Sequence, residues 1–320
     1  MLGSRHPSSR PLLAVFALVV AACAEESLAA GGGNPRLHIR NVHLMVSPEV
    51  TLEVRELYGR LVPIRKGQIP FFDDPRSFGI EINHATAAFS TASITALLNG
   101  YTFAYPGAPL RQLQIEARDG KLWQKGILHK GVDVPFEMEG ELSVRPDGLL
   151  KIHPTSIKVA GILSKRLLDA LGIELMDVIK VRHDRGIAIE GDDLLLDPNR
   201  LLPPPKISGK LGAVHLEGDR IVLEFVGAGP SKGLDPPSGV RNYMYFKGGQ
   251  LRFGKLTMRD TDLVIADADS QDPFRFYLAQ YRRQLVAGYS KTMPDLGLVS
   301  FMPDADEVDH PLKDSPTGGL

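Results

Sequence analysis

The chain has 320 residues, 43% hydrophobic and 23% charged, the balance of a folded domain with a substantial core. Its 37 Lys and Arg against 38 Asp and Glu give a formal net charge of −1, with no long basic run, which excludes a nucleic-acid binder working by phosphate neutralisation. Glycine (32) and proline (24) are frequent enough to expect many turns.

The N-terminus reads as an address. Arg5 and Arg10 precede an unbroken apolar run, Leu12 to Ala22, too short to span a bilayer but of signal-peptide length. Val20-Ala21-Ala22-Cys23 ends that run. An aliphatic residue, two small residues and a cysteine resemble the bacterial lipobox, which implies diacylation of Cys23 after removal of residues 1–22. Ordinary secretory cleavage after Ala24 or Ala30 is the alternative. Attached acyl chains contribute about 0.8 kcal/mol per buried CH₂, enough together to hold a protein on a membrane. Ala24 stands where an inner-membrane retention Asp would be, which leans toward the outer membrane. Residues 23–35, ending in a Gly-rich stretch, read as the lipidated tether.

Folded sequence begins at Arg36. Residues 37–42 and 50–54 alternate as two strands joined across Ser47-Pro48, and Phe78, Ile80 and Ile82 begin a third. Ser90 is an N-cap for a helix over Thr91–Asn99, closed by Gly100, with Ile94, Leu97 and Leu98 on its apolar face. From Leu110 to Val159 the pattern is strand and turn. Leu113, Ile115 and Ala117 alternate with Gln112, Gln114 and Glu116, and Asp119-Gly120, Lys130-Gly131 and Asp147-Gly148 supply the reversals. A second helix is expected at Ser164–Leu171, with Leu167, Leu168 and Leu171 apolar. Strands over 187–189 and 194–196 lead to a stiff elbow, Leu201-Leu202-Pro203-Pro204-Pro205. A hairpin follows, 207–216 and 220–226, turning at Gly218-Asp219 and carrying Ile221, Leu223 and Phe225 on one face.

Residues 227–239 read as a Gly/Pro loop. The segment 240–303 then reads as an extension on the same domain: a hairpin around Gly248-Gly249 and an amphipathic helix over Phe274–Val286. Phe274, Tyr277, Leu278, Tyr281 and Leu285 share one face of that helix, which either packs on the sheet or contacts a membrane. Residues 304–320 read as a disordered tail.

Catalytic signatures are absent. The nine histidines make no metal-binding spacing, and no nucleophile elbow, P-loop or dinucleotide fingerprint occurs. The one cysteine, Cys23, lies in the signal region. Asp260, Asp262, Asp267, Asp269 and Asp272 are dense enough for a hard cation, but the stretch lacks the Gly and Glu of a calcium loop. No catalytic residue, metal or cofactor is therefore assigned.

Taken together, Leu122–Gly126, Val134–Gly140, Val144–Leu149 and Pro205–Gly209, with the flanking helices and elbow, resemble the tubular lipid-binding (TULIP, or SMP-like) fold. The similar members are small bacterial periplasmic proteins of the LmeA type. The resemblance covers residues 37–226; 241–303 have no counterpart in the small members. It implies an α+β, mainly β fold, a long curved antiparallel sheet (a half-barrel) wrapped around one or two helices. Its groove candidates are Ile94, Leu97, Leu98, Phe136, Leu167, Leu168, Leu171, Ile221, Leu223 and Phe225. The same residues would equally make a solid core. The expectation is a lipid-anchored envelope protein that binds a lipid or other apolar molecule without making or breaking bonds; the alternatives are a scaffold lipoprotein holding a protein partner and, third, a hydrolase acting on a lipid head group.

Overall fold

The structure is a computed structural model that describes residues 33–129, 132–159, 162–163, 186–229, 233–295 and 297–309. In chain order, β1 (Arg36–Ser47), β2 (Val50–Pro63) and β3 (Phe78–Ser90) form an antiparallel meander that runs into α1 (Thr91–Leu97) and one π turn, Leu98–Thr102. β4 (Leu110–Arg118), β5 (Lys121–His129), β6 (Asp133–Val144) and β7 (Leu150–Val159) form a second meander. β8 (Ile162–Leu163), β9 (Ile187–Glu190) and β10 (Asp193–Leu196) extend it. One helical turn, α2 (Pro198–Leu201), and the proline elbow lead to β11 (Lys206–Ser208), β12 (Lys210–Glu217) and β13 (Arg220–Val226). The remainder is β14 (Tyr243–Lys247), β15 (Leu251–Phe253), β16 (Leu256–Met258), β17 (Asp262–Asp267), β18 (Phe274–Tyr277), α3 (Tyr281–Ala287), β19 (Tyr289–Thr292) and β20 (Leu298–Met302).

The fold is mainly β, with large antiparallel sheets that do not close. The wall consists of two of them. The larger runs β12-β13-β3-β2-β1-β14-β17-β20-β19, with β11 parallel to β3 and β18 parallel to β1. The smaller runs β4-β5-β6-β7-β10-β9. A separate two-stranded ribbon, β15-β16, sits over one end. Ile115, Leu122, Met138, Ile152 and Ile157 of the smaller sheet share an apolar cluster with Ile221 of the larger, so the two sheets face each other.

Bulges give the larger sheet its inward face. In β1 the buried positions change parity between Ile39 and Val42, across Asn41 at φ +52°. In β2 they change between Val54 and Leu57, and in β3 between Ile82 and Ala85, where the pairing register shifts. Each bulge bends its strand and re-aims the side chains that follow. The inward rows therefore stay in line across four strands: Leu44–Leu52–Phe89–Ile221, Val42–Val54–Ala87–Leu223 and Ile39–Leu57–Ala85–Phe225. Gly59 takes part in the β2–β3 irregularity because a Cβ there would stand 2.4 Å from the Glu81 carbonyl oxygen.

Several local expectations need correction. Ser90 does cap α1, its Oγ accepting from the Ser93 amide at 3.1 Å, but the helix is not closed by Gly100. It passes into the π turn, in which Gly100 is enclosed. The stretch 274–286 is not one helix. Pro273 and the alternation Phe274-Arg275-Phe276-Tyr277 make β18, which lies on β1 with both phenylalanines buried, and only Tyr281–Ala287 is α-helical. A period of two, with a β1 edge to pair with, outweighs the helical spacing. The hairpin around Gly248-Gly249 is nested, β14–β17 outside and β15–β16 inside. Within the expected tail, residues 305–309 form turns, and buried Asp304 accepts from the Arg275 amide at 2.8 Å. The expected helix 164–171, with Leu167, Leu168 and Leu171, and the segment containing Cys23 lie outside the described residues.

Candidate functional site: an apolar cavity between the sheets

Between the two sheets lies a cavity of about 320 Å³. The larger sheet contributes Leu37, Ile39 and Leu44 of β1, Leu52, Leu57 and Leu61 of β2, Phe78 to Phe89 of β3, and Ile221, Leu223 and Phe225 of β13. Facing them are Leu110, Leu113 and Ile115 of β4, Leu122 and Gln124 of β5, Leu142 of β6, Leu150 and Ile152 of β7, and Leu194 and Leu196 of β10. Ile94 and Leu97 of α1, then Leu98 and Phe103, line it from the helical side, and Leu201 to Pro205 of the elbow also contribute. The lining of β1 runs from Leu37 to Val46, about 30 Å at roughly 3.3 Å per residue, so the space is elongated along the strands. Among the described lining residues Gln124 has the only polar side chain. The size of the cavity is at the lower end of the roughly 300–1,000 Å³ typical of small-molecule sites.

Side-chain hydrogen bonds hold the helical side in place. α1 leaves β3 of the larger sheet and lies against β4, the edge strand of the smaller one. Thr95 Oγ1 accepts from the Ile115 amide at 2.9 Å. Asn99 accepts from the Leu113 amide at 2.9 Å, donates to the Leu113 carbonyl at 2.8 Å, and donates back to the Thr95 carbonyl at 2.9 Å. These bonds fall where β4 bulges at Gln112, φ +51°, and where its backbone groups face no neighbouring strand. Ile94 and Leu98 are thereby aimed at the cavity by the same residues that satisfy the sheet edge.

Six of the groove candidates line this space: Ile94, Leu97, Leu98, Ile221, Leu223 and Phe225. Phe136 does not. It points to the inward side of β6, as Met138 does, but near the end of the strand it packs with Leu110, Leu113 and Leu128. Gly126 makes room for it: a Cβ there would lie 3.2 Å from the ring. Phe136 also borders a second depression of about 440 Å³, whose walls include Gln112, Gln114, Lys125, Glu137 and Lys158. That depression is a charged surface feature, with Lys158 3.9 Å from Glu137, and offers nothing to an acyl chain.

Gln124 escapes a reading based on apolar alternation. The signal was present: along β5 the inward positions are Leu122, Gln124, Gly126 and Leu128, an apolar row broken by one carboxamide. Trp123 occupies the other face, with the Arg118 guanidinium 3.9 Å from its ring centre.

Titratable groups cluster elsewhere. Among the described residues no three His, Cys, Asp or Glu side chains converge to hold a metal ion. The acidic run is dispersed: Asp262 pairs with Lys247 at 3.5 Å, Asp269 accepts from the Gln271 amide, and Asp267 accepts from Asn242 at 3.0 Å. Burial pushes the Asp267 carboxyl up to about 7, with the charges of Asp304 and Asp272 adding to the rise, and Asp304 up to about 6, with those of Asp272, Asp306 and Glu307 adding. Asp73 is held below its usual range: burial raises it, but hydrogen bonds from Tyr281, Arg282 and the Gly254 amide together outweigh that. These bonds tie α3 to the loop that carries Phe72. None of these groups lines the cavity.

No family model, curated protein or solved structure matches this chain.

Proposed function

We propose that this protein is a lipid-anchored protein of the bacterial cell envelope that holds an acyl chain or other apolar molecule non-covalently between its two sheets. The observation that carries the reading is the elongated cavity of about 320 Å³ with aliphatic and aromatic walls. Burying on the order of 300 Å² of a ligand's apolar surface there contributes roughly 7 kcal/mol before the cost of immobilising it. The wall offers no nucleophile and no acid–base pair among its described residues, so the chemistry it supports is desolvation. The lipobox-like Val20-Ala21-Ala22-Cys23 supplies the anchor, with the outer membrane favoured, and the TULIP-like pattern supports a role in carrying or presenting lipid.

Native mass spectrometry and organic extraction of full-length protein, prepared without detergent, test the reading. The expected result is one apolar molecule per chain, released with retention of the fold. A bare protein mass, together with no uptake of an apolar dye, overturns it. The anchor is tested separately: Cys23→Ser abolishes labelling by a fatty-acid probe, and unchanged labelling removes the lipobox assignment. A single stoichiometric protein partner recovered with a lipid-free chain would favour the scaffold alternative.

A further inference from the structure

Among the described residues the cavity lining contains one polar side chain, and no described residue hydrogen-bonds it. Gln124 is 6% exposed, and among the described residues its carboxamide makes no hydrogen bond. It stands in the cross-strand row Ile115–Gln124–Met138, where both neighbours are apolar and both are buried. Its polar atoms are not sealed in by packing, in contrast to Thr102 Oγ1, which is buried without a partner outside the cavity wall. A carboxamide presents two N–H donors and a carbonyl acceptor, and among apolar neighbours it gains by meeting a hydrogen-bonding group. Leucine or methionine would fit that row without needing one. The position therefore matches a ligand that carries a hydrogen-bonding group into the cavity.

The charge of that group follows from the rest of the wall. No Lys, Arg, His, Asp or Glu is among the described lining residues. A carboxylate or ammonium brought to Gln124 would be desolvated with no counter-charge, which the walls cannot offset. A hydroxyl or an ester, amide or ketone carbonyl needs only the carboxamide. Resting on the reading of the cavity as a lipid site, we propose that Gln124 binds an uncharged oxygen of the ligand. The cavity then takes a neutral oxygenated lipid, such as a fatty alcohol or an acyl ester, in preference to a hydrocarbon or a fatty-acid anion.

The test uses delipidated full-length protein loaded with N-phenyl-1-naphthylamine and displaced by three chain-matched probes: 1-dodecanol, dodecane and, at pH 8, dodecanoate. In the wild type 1-dodecanol is expected to bind at least about tenfold more tightly than dodecanoate. In Gln124→Met the affinity for 1-dodecanol falls about five- to tenfold while that for dodecane holds or rises, the scale of one neutral hydrogen bond. Gln124→Leu serves as the second variant, and both are expected to melt cooperatively at or above the wild-type temperature when empty. An alcohol-to-hydrocarbon ratio equal to wild type in a folded variant overturns the proposal. So does dodecanoate binding as tightly as the alcohol, or a lower melting temperature showing that Gln124 serves packing. If the dye does not bind the wild type at all, the cavity reading itself fails and this inference falls with it.

Discussion

Two regions of the same large sheet are built from similar residues and end differently. Around β13-β3-β2 one face meets the cavity while the other carries polar pairs such as Arg60–Glu81 and Arg220–Glu53. Around β14-β17-β20 both faces are covered. Met244, Phe246, Leu263 and Ile265 pack inward, and Tyr243, Tyr245, Val264, Ala266 and Val299 pack outward under Leu234 and Met293. His38 is buried on that outer side, its Nδ1 3.0 Å from the Leu234 carbonyl oxygen and its ring stacked on Tyr58. Next to this filled end Phe72, Phe253, Phe276 and Tyr281 meet at ring-centre distances of about 5 to 6 Å, with Phe72 and Phe276 also bordering the cavity. The hollow end faces its opposite wall with leucine, isoleucine and alanine together with Phe78, Phe89 and Phe225. What separates the regions is the outer face: behind β14-β17-β20 it is covered by a second apolar cluster, and behind β13-β3-β2 it carries ion pairs.

Substitutions sharpen this contrast. Phe274→Ala, in the filled end, is expected to destabilise by about 3–5 kcal/mol in urea unfolding, because its surroundings are packed on every side. Leu223→Ala, at the cavity wall, should cost about 2 kcal/mol or less, since that side chain already faces space on one side. Equal costs would mean that the cavity is closed in solution. Ala87→Leu should place new methyl groups in the hollow region and change stability by no more than about 1 kcal/mol, yet abolish uptake of an apolar dye. A well-folded variant that still takes up dye would break the assignment of the site.

The filled end should also respond to pH through two buried carboxyls. Asp267 and Asp304 have folded-state values of about 7 and about 6, above the 3.8 of the free group. The native state thus holds more protons than the unfolded chain between pH 4 and 7, and this contribution to stability is lost as pH rises through that window. Asp73 acts in the opposite sense, its contribution being lost only as pH falls below the ordinary carboxylate range. Melting temperatures of wild type and Asp267→Asn from pH 4.5 to 8 should therefore differ in slope, the variant being flatter; parallel curves would refute it. The smallest effect is expected at the exposed Arg60–Glu81 pair behind the hollow region. There Arg60→Ala should shift stability by less than about 0.5 kcal/mol, and less still at high salt.

Much of the scaffold was legible from residue order. The meander of β4 to β7 follows its alternation and its Gly turns, with Asp119 and Gly120 both at positive φ and Gly148 at +88°. Six of the apolar candidates reached the cavity because a period of two, or a helical stripe, already states which side is inward. Phe136 fell outside it because periodicity gives a face but not a position along that face. The stretch 274–286 is ambiguous in sequence because Phe274, Tyr277, Leu278 and Tyr281 satisfy a helical spacing while Phe274 and Phe276 satisfy a strand spacing. Only the available edge of β1 decided between them.

Local order along this chain thus determined the strands, their turns, the Ser90 cap and the inward faces, since each depends on neighbours a few residues away. The tertiary structure decided what the inward faces enclose. The positive-φ residue Asn41 and the bulges at Arg55 and Asn83 aim the rows of three strands, α1 holds the edge of β4, and the separation of two sheets sets whether leucines meet or leave space. Whether Gln124 is a solvated side chain or a solitary polar group in an apolar chamber depends on that separation, because burial is a property of both walls and not of one strand.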